Sequence, residues 1–157
     1  MRDGRPRGVT LIELLIVVAL VGLLAGISFP SVSAGVETLR LSSAGGSLAS
    51  FINGALNRAE RRQQPIEITI DTQQNVVLAQ SAGPGFVRKL EMPDGVRILG
   101  VLPPLAVETG QPRRFIVYPG GTAPRFGVEL ANRKGARRIV RIDPITGIPQ
   151  VERPAAQ

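Results

Sequence analysis

The chain has 157 residues, 43% of them hydrophobic, with a formal net charge of +7 and neither cysteine nor histidine. That composition excludes a disulfide framework and removes the commonest general base, the commonest thiol nucleophile and the best transition-metal ligands. The carboxylates, lysines and hydroxyls that remain form no pair in a catalytic arrangement, so the sequence predicts a protein that is not an enzyme and needs no cofactor or metal. The length allows one domain and an appendage.

The first eight residues carry Arg2, Arg5 and Arg7 against Asp3 and end in Gly8. Without them, 16 basic and 11 acidic residues leave +5 on 9–157, a balance that permits a polyanionic partner without requiring one. The apolar segment begins at the next residue and runs from Val9 to Phe29, 21 residues that would span about 30 Å as a helix, enough to cross a bilayer. The basic flank predicts a cytoplasmic N-terminus, with everything after Pro30 on the far side. One carboxylate, Glu13, stands five residues past Gly8 inside this segment. An ionisable group in a membrane span is costly and usually functional.

Three readings compete for this front end. Val32-Ser33-Ala34 before Gly35 could end a secretory signal peptide, but the apolar run is longer than the usual h-region and holds Glu13. A plain membrane anchor explains the length but not the carboxylate. The third is a resemblance: the Gly8–Pro30 junction is similar to the class III signal of type IV prepilins and type II secretion pseudopilins. In that family a prepilin peptidase cuts after the glycine and methylates the new amine, which implies cleavage between Gly8 and Val9 and N-methylation of Val9. Phenylalanine or methionine is commoner where Val9 stands. Glu13 matches the family's acidic position, and the resemblance implies that it pairs with the free amine of Val9 on a neighbouring subunit and so guides assembly. Locally, Thr10-Leu11-Ile12-Glu13 also fits a capping box at a helix start. Gly22 and Gly26 make a GxxxG that favours close helix packing, and Gly26 with Pro30 marks a place where the helix can kink or unwind.

Beyond Pro30 an amphipathic stripe continues through Val32, Val36, Leu39, Leu48, Phe51, Ile52, Ala55, Leu56 and Ala59. Gly45-Gly46 weakens it, and Arg58, Arg61 and Arg62 suit a helix C-terminus before Gln64-Pro65. The sequence therefore predicts one long helix from about Val9 to Arg62. From Ile66 the period changes to two, with strands at Ile66–Asp71, Val76–Gln80, Phe86–Met92, Val96–Leu102, Arg114–Tyr118, Arg125–Leu130, Arg137–Ile142 and Ile148–Glu152, separated by Gly/Pro turns. The expected fold is α+β, type IV pilin-like: a long N-terminal helix packed on an antiparallel sheet domain. Its expected divisions are a leader at 1–8, a membrane or filament-core helix at 9–30, the amphipathic half at 31–62 and a periplasmic sheet domain at 63–157, with a loose tail from Arg153.

The C-terminal stretch FIVYPGGTAPRFGVELANRKGARRIVRIDPITGIPQV resembles the GspH/FimT group of minor pilins and pseudopilins, through its aromatic strand, Pro-Gly-Gly turn and Asp-Pro-x-Thr-Gly turn. The implied function is that of a minor pseudopilin at or near the tip of a type II secretion pseudopilus, supporting export of folded proteins, and the implied location is the bacterial inner membrane and then the periplasmic pseudopilus. Its implied partners are major and minor pseudopilins, prepilin peptidase, the inner-membrane secretion platform and secreted cargo. The alternative is a FimT-like minor pilin that captures DNA in natural transformation. Arg133, Lys134, Arg137, Arg138 and Arg141 could neutralise phosphates. They could equally be a solvated edge that discourages strand pairing. The Gly-Arg-x-Arg element of DNA-binding members is missing, because Gly147 is followed by Ile148-Pro149-Gln150. Asp143-Pro144-Ile145-Thr146-Gly147 has the composition of a tight turn rather than a metal site.

Overall fold

The computed structural model describes residues 8–83, 85–105 and 110–154, and only the backbone of 27–34. Thr10 starts the first element: its Oγ1 accepts a hydrogen bond from Glu13 N (3.3 Å) and its carbonyl accepts from Leu14 N (3.2 Å). This capping places Glu13 in the first turn of helix α1, Leu11–Arg62, which begins two residues after Val9. The helix runs through Gly26, Pro30, Gly45 and Gly46 without a break. It ends as a Schellman motif: Gln63 takes a positive φ (51°), Gln64 N reaches back to Ala59 O (3.2 Å), and Pro65 prevents continuation.

The chain divides into two units, 1–36 and 37–157. In the first, every large apolar side chain from Val9 to Leu24 is more than half exposed. Among the described residues no helix is long and apolar enough to cross a membrane. The segment predicted to do so, Val9–Phe29, runs into 27–34, whose side chains lie outside the description, as do residues 1–7 of the predicted leader.

In the second unit the strands are β1 Ile66–Asp71, β2 Val76–Ser81, β3 Val87–Glu91, β4 Val96–Leu102, β5 Arg113–Val117, β6 Gly127–Asn132, β7 Arg137–Ile142 and β8 Pro149–Glu152. All eight predicted strands are present, but they form two four-stranded antiparallel sheets, ordered β3-β2-β1-β5 and β4-β6-β7-β8. Alternation in β1 buries Ile66, Ile68 and Ile70 opposite Val117, Phe115 and Arg113 of β5. Leu41, Ala44, Leu48, Phe51, Ile52, Ala55 and Ala59 of α1 join the inner faces of both sheets in one core, where burial of apolar surface supplies the main stabilisation.

The stripe differs from the prediction at its N-terminal end. Val36 and Leu39 are exposed, while Leu41 and Ala44 are buried. Leu39 precedes Leu48 by nine residues, about half a turn out of phase at 3.6 residues per turn, so the two cannot share a face. Val32 lies outside the described side chains. Gly45 has a packing reason: a Cβ there would stand 3.1 Å from Cγ1 of Val151 on β8.

Side chains from the first sheet hold the outer strand of the second. Asn75, in the turn between β1 and β2 with φ 60°, donates from Nδ2 to Val96 O and accepts at Oδ1 from Ile98 N, both at 2.8 Å. Arg113 of β5 donates from Nη1 to Val101 O (2.7 Å) and Pro103 O (2.6 Å). Phe115 and Phe126 stack beside it with centroids 4.3 Å apart. The C-terminal end of α1 is tied down too, since Glu60 Oε2 accepts from Gly120 N (2.8 Å) in the Pro-Gly-Gly turn and Arg58 lies 3.9 Å over the Phe86 ring.

Candidate functional site

Gly8, Val9 and Thr10 precede α1 without regular structure, and all three are exposed. Among the described residues nothing lies within 4 Å of the position a Cβ on Gly8 would take, so they leave the Gly8–Val9 bond open. Thr10 fixes where helix begins, so the bond two residues upstream stays outside the hydrogen-bonded turns that would shield it. Glu13, at the third helical position, is exposed, and its backbone N–H is already satisfied by Thr10. Its carboxylate is thus free of the helix interior and lies where the positive end of the helix dipole favours an anion. Beyond it the exposed side chains are apolar on all sides of the helix through Leu24, a pattern that belongs to helices surrounded by lipid or by other helices. The backbone at Gly26 and Pro30 is helical.

The five basic residues of the C-terminal stretch do not form one surface. Arg133 and Lys134 sit in the turn between β6 and β7, a turn organised by buried Asn132. Its Oδ1 accepts from Lys134 N (3.1 Å) and Ala136 N (2.9 Å), with Gly135 at φ 81°. Arg137 and Arg141 share the outer face of β7, and Arg137 pairs with Glu129 at 3.1 Å. Arg138 falls on the opposite face, opposite Leu130 and in line with buried Val140 and Ile142. The period of two that makes β7 a strand separates neighbours that look contiguous in sequence.

The Asp143–Gly147 segment is a tight turn. Asp143 Oδ1 accepts from Ile145 N and Thr146 N (2.8 Å each), Asp143 O accepts from Gly147 N (2.9 Å), and Gly147 takes φ 71°. The hydrogen bonds from Thr146 N and then Ile145 N hold the Asp143 carboxyl below the usual carboxylate range. Among the described residues no cluster of acidic side chains could hold a metal ion.

One feature was not legible beforehand as a unit. Gly127 of β6 pairs across to Leu102 on one side and Arg141 on the other, and its missing side chain leaves an open depression of about 400 Å3. Leu102, Pro103, Ile142 and Pro144 give it apolar walls, and Arg125 and Arg141 flank it. The available signal was a glycine inside a strand, which often marks a bulge or a close approach.

Residues 4–29 match the family model of the prokaryotic N-terminal methylation motif. No curated protein and no solved structure matches the chain significantly. The motif stands ahead of a long helix whose second half packs on antiparallel sheets, an α+β arrangement consistent with type IV pilin-like proteins that carry a prepilin-type signal.

Proposed function

We propose that this chain is a minor pseudopilin of a type II secretion system, assembled at or near the pseudopilus tip, with its sheet domain in the periplasm. The observation that carries the reading is the methylation motif over 4–29, set against a helix whose large side chains from Leu11 to Leu24 are apolar and exposed. In this reading prepilin peptidase cuts between Gly8 and Val9 and the new amine of Val9 is methylated. The apolar helix then holds the subunit in the inner membrane until it enters the filament. There a carboxylate at the depth of Glu13 needs a cation to offset its desolvation, and the Val9 amine of a neighbouring subunit supplies one. Gly26 and Pro30 serve as the place where the helix adjusts during that transfer. The partners are other pseudopilins along the helix, the secretion platform at the membrane and cargo at the sheet domain. The division of Arg133, Lys134, Arg137, Arg138 and Arg141 between a turn and two faces of β7 argues for this reading over capture of DNA.

Cross-linking of the full-length protein in cells, with mass spectrometry of its neighbours, tests it. Pseudopilins and secretion-platform proteins are the expected neighbours. Pilus subunits and competence proteins in their place would overturn the assignment and favour the DNA-capturing pilin.

A further inference from the structure

The depression over Gly127 is an electropositive cleft with an apolar floor. Arg125 and Arg141 are both exposed, and among the described residues neither makes an ion pair or a side-chain hydrogen bond. Among the described residues no carboxylate lines the depression. Of the acidic residues near it, Glu152 of β8 lies diagonal to Arg141 on the same face without pairing with it, and two others are engaged elsewhere. Glu129, two positions along the same face of β6, pairs with Arg137, and Asp143 spends its carboxylate on its own turn. That turn also fixes the rim, because it holds Pro144 in the wall and leaves Ile145 beside it 92% exposed. Rigid apolar rims next to unpaired arginines have the make-up of interface anchors, where arginine and well-packed apolar contacts carry most of the binding energy.

We propose that this depression docks an acidic peptide segment of a partner protein. An apolar side chain of the segment packs against Leu102, Ile142 and Pro144 above Gly127, and a flanking carboxylate is held by the Arg125 and Arg141 guanidinium groups. Charge complementarity selects the class of ligand: guanidinium forks match planar carboxylates bidentately. The volume suits a short stretch of chain and lies at the small end of ligand clefts. A nucleic acid would want a row of cations and exposed aromatic rings for stacking. Among the described residues the depression offers two cations, and its one aromatic, Phe126, is buried against Phe115. The inference goes beyond pseudopilus membership, since docking is measured on the isolated protein.

The test is fluorescence anisotropy of a dye-labelled hexapeptide, Gly-Leu-Glu-Leu-Asp-Gly, titrated with the full-length protein in detergent micelles. Its isostere carrying Gln and Asn in place of Glu and Asp is the control for partition into detergent. Saturable binding of the acidic peptide is expected, weaker by about tenfold for the isostere and for Arg141→Gln, as befits loss of a charge-assisted hydrogen bond. Gly127→Leu should abolish binding by filling the depression. The φ of Gly127 is unexceptional, and a Cβ there would meet Leu102 and Ile139 at an ordinary 3.5 Å. Should Gly127→Leu fail to fold, the exposed Arg141→Gln still decides the matter. Equal binding of the two peptides, no saturable binding below about 1 mM, or an unchanged affinity in Arg141→Gln would overturn the proposal. Displacement of the acidic peptide by a short DNA duplex, lost in Arg141→Gln, would overturn it in favour of a phosphate-reading site.

Discussion

Between Val9 and Leu24 the large side chains are apolar and exposed all round, whereas between Leu41 and Ala59 the same helix buries one stripe and turns Ser43, Ser47 and Ser50 outward. The second stretch follows the rule for a helix that completes a core: its apolar residues recur at three and four and meet two sheets. The first has no such preference of face, so its hydrophobicity is directed at surroundings outside the folded subunit. The difference separates two kinds of apolar residue. Those from Leu41 onward stabilise the domain; those up to Leu24 take no part in its core.

That separation can be broken by substitution. The largest expected effect is on assembly: Glu13→Ala should abolish incorporation into filaments while leaving membrane insertion and the thermal midpoint of the sheet domain unchanged. Normal incorporation of this variant in cell fractionation would remove the role given to Glu13. Next comes the pair Leu48→Ala and Leu15→Ala. Leu48 is fully buried, and its truncation should cost about 2–5 kcal/mol in denaturant unfolding. Leu15 is 59% exposed, and the same change there should leave unfolding unaltered. Similar losses at both positions would show that the two stretches form a single folding unit.

Within the domain, Asn75→Gly keeps the positive φ and deletes both hydrogen bonds to β4, so its cost isolates the amide at about 1–3 kcal/mol. Arg113→Gln should cost a comparable amount, because it leaves the Val101 and Pro103 carbonyls without their cation. The smallest effect concerns pH. The Asp143 carboxyl is depressed below its unfolded value by the turn's N–H groups, so its contribution is present above that unfolded value and fades as pH falls through the folded one. Asp143→Asn should therefore flatten only the acid limb of the stability profile, measured as thermal midpoints from neutral pH down into the carboxylate range.

Much of this architecture was readable before any coordinates. The change of period at Ile66 and the Gly/Pro punctuation locate every strand, since alternation and turn chemistry are local properties of the chain. The cap at Thr10 and the stop at Gln64-Pro65 are equally local. Of the expected capping box, the bond from Glu13 N to Thr10 Oγ1 is present and, among the described residues, the reciprocal one from the Glu13 carboxylate is not, while the cap puts the helix start past Val9. What sequence did not disclose depends on distant partners. Division into two sheets rests on which strands pair, and Asn75 to Val96, Arg113 to Val101 and Glu60 to Gly120 are ties that no spacing rule marks. The arginine cluster is the instructive case. Its members crowd nine positions, yet period-two geometry deals Arg137 and Arg141 to one face and Arg138 to the other, leaving Arg141 to join Arg125 across a glycine.

The clamps on β4 carry one more consequence. A strand paired on a single side ordinarily offers its free backbone as a template for the next chain. Here Asn75 imitates a neighbouring strand at Val96 and Ile98, and Arg113 occupies carbonyls farther along. At Val96, Ile98 and Val101 this border of the second sheet already has its backbone partners. A second copy could add a strand along β4 there only by first breaking those bonds, so this edge is a poorer template for cross-β pairing than a bare one.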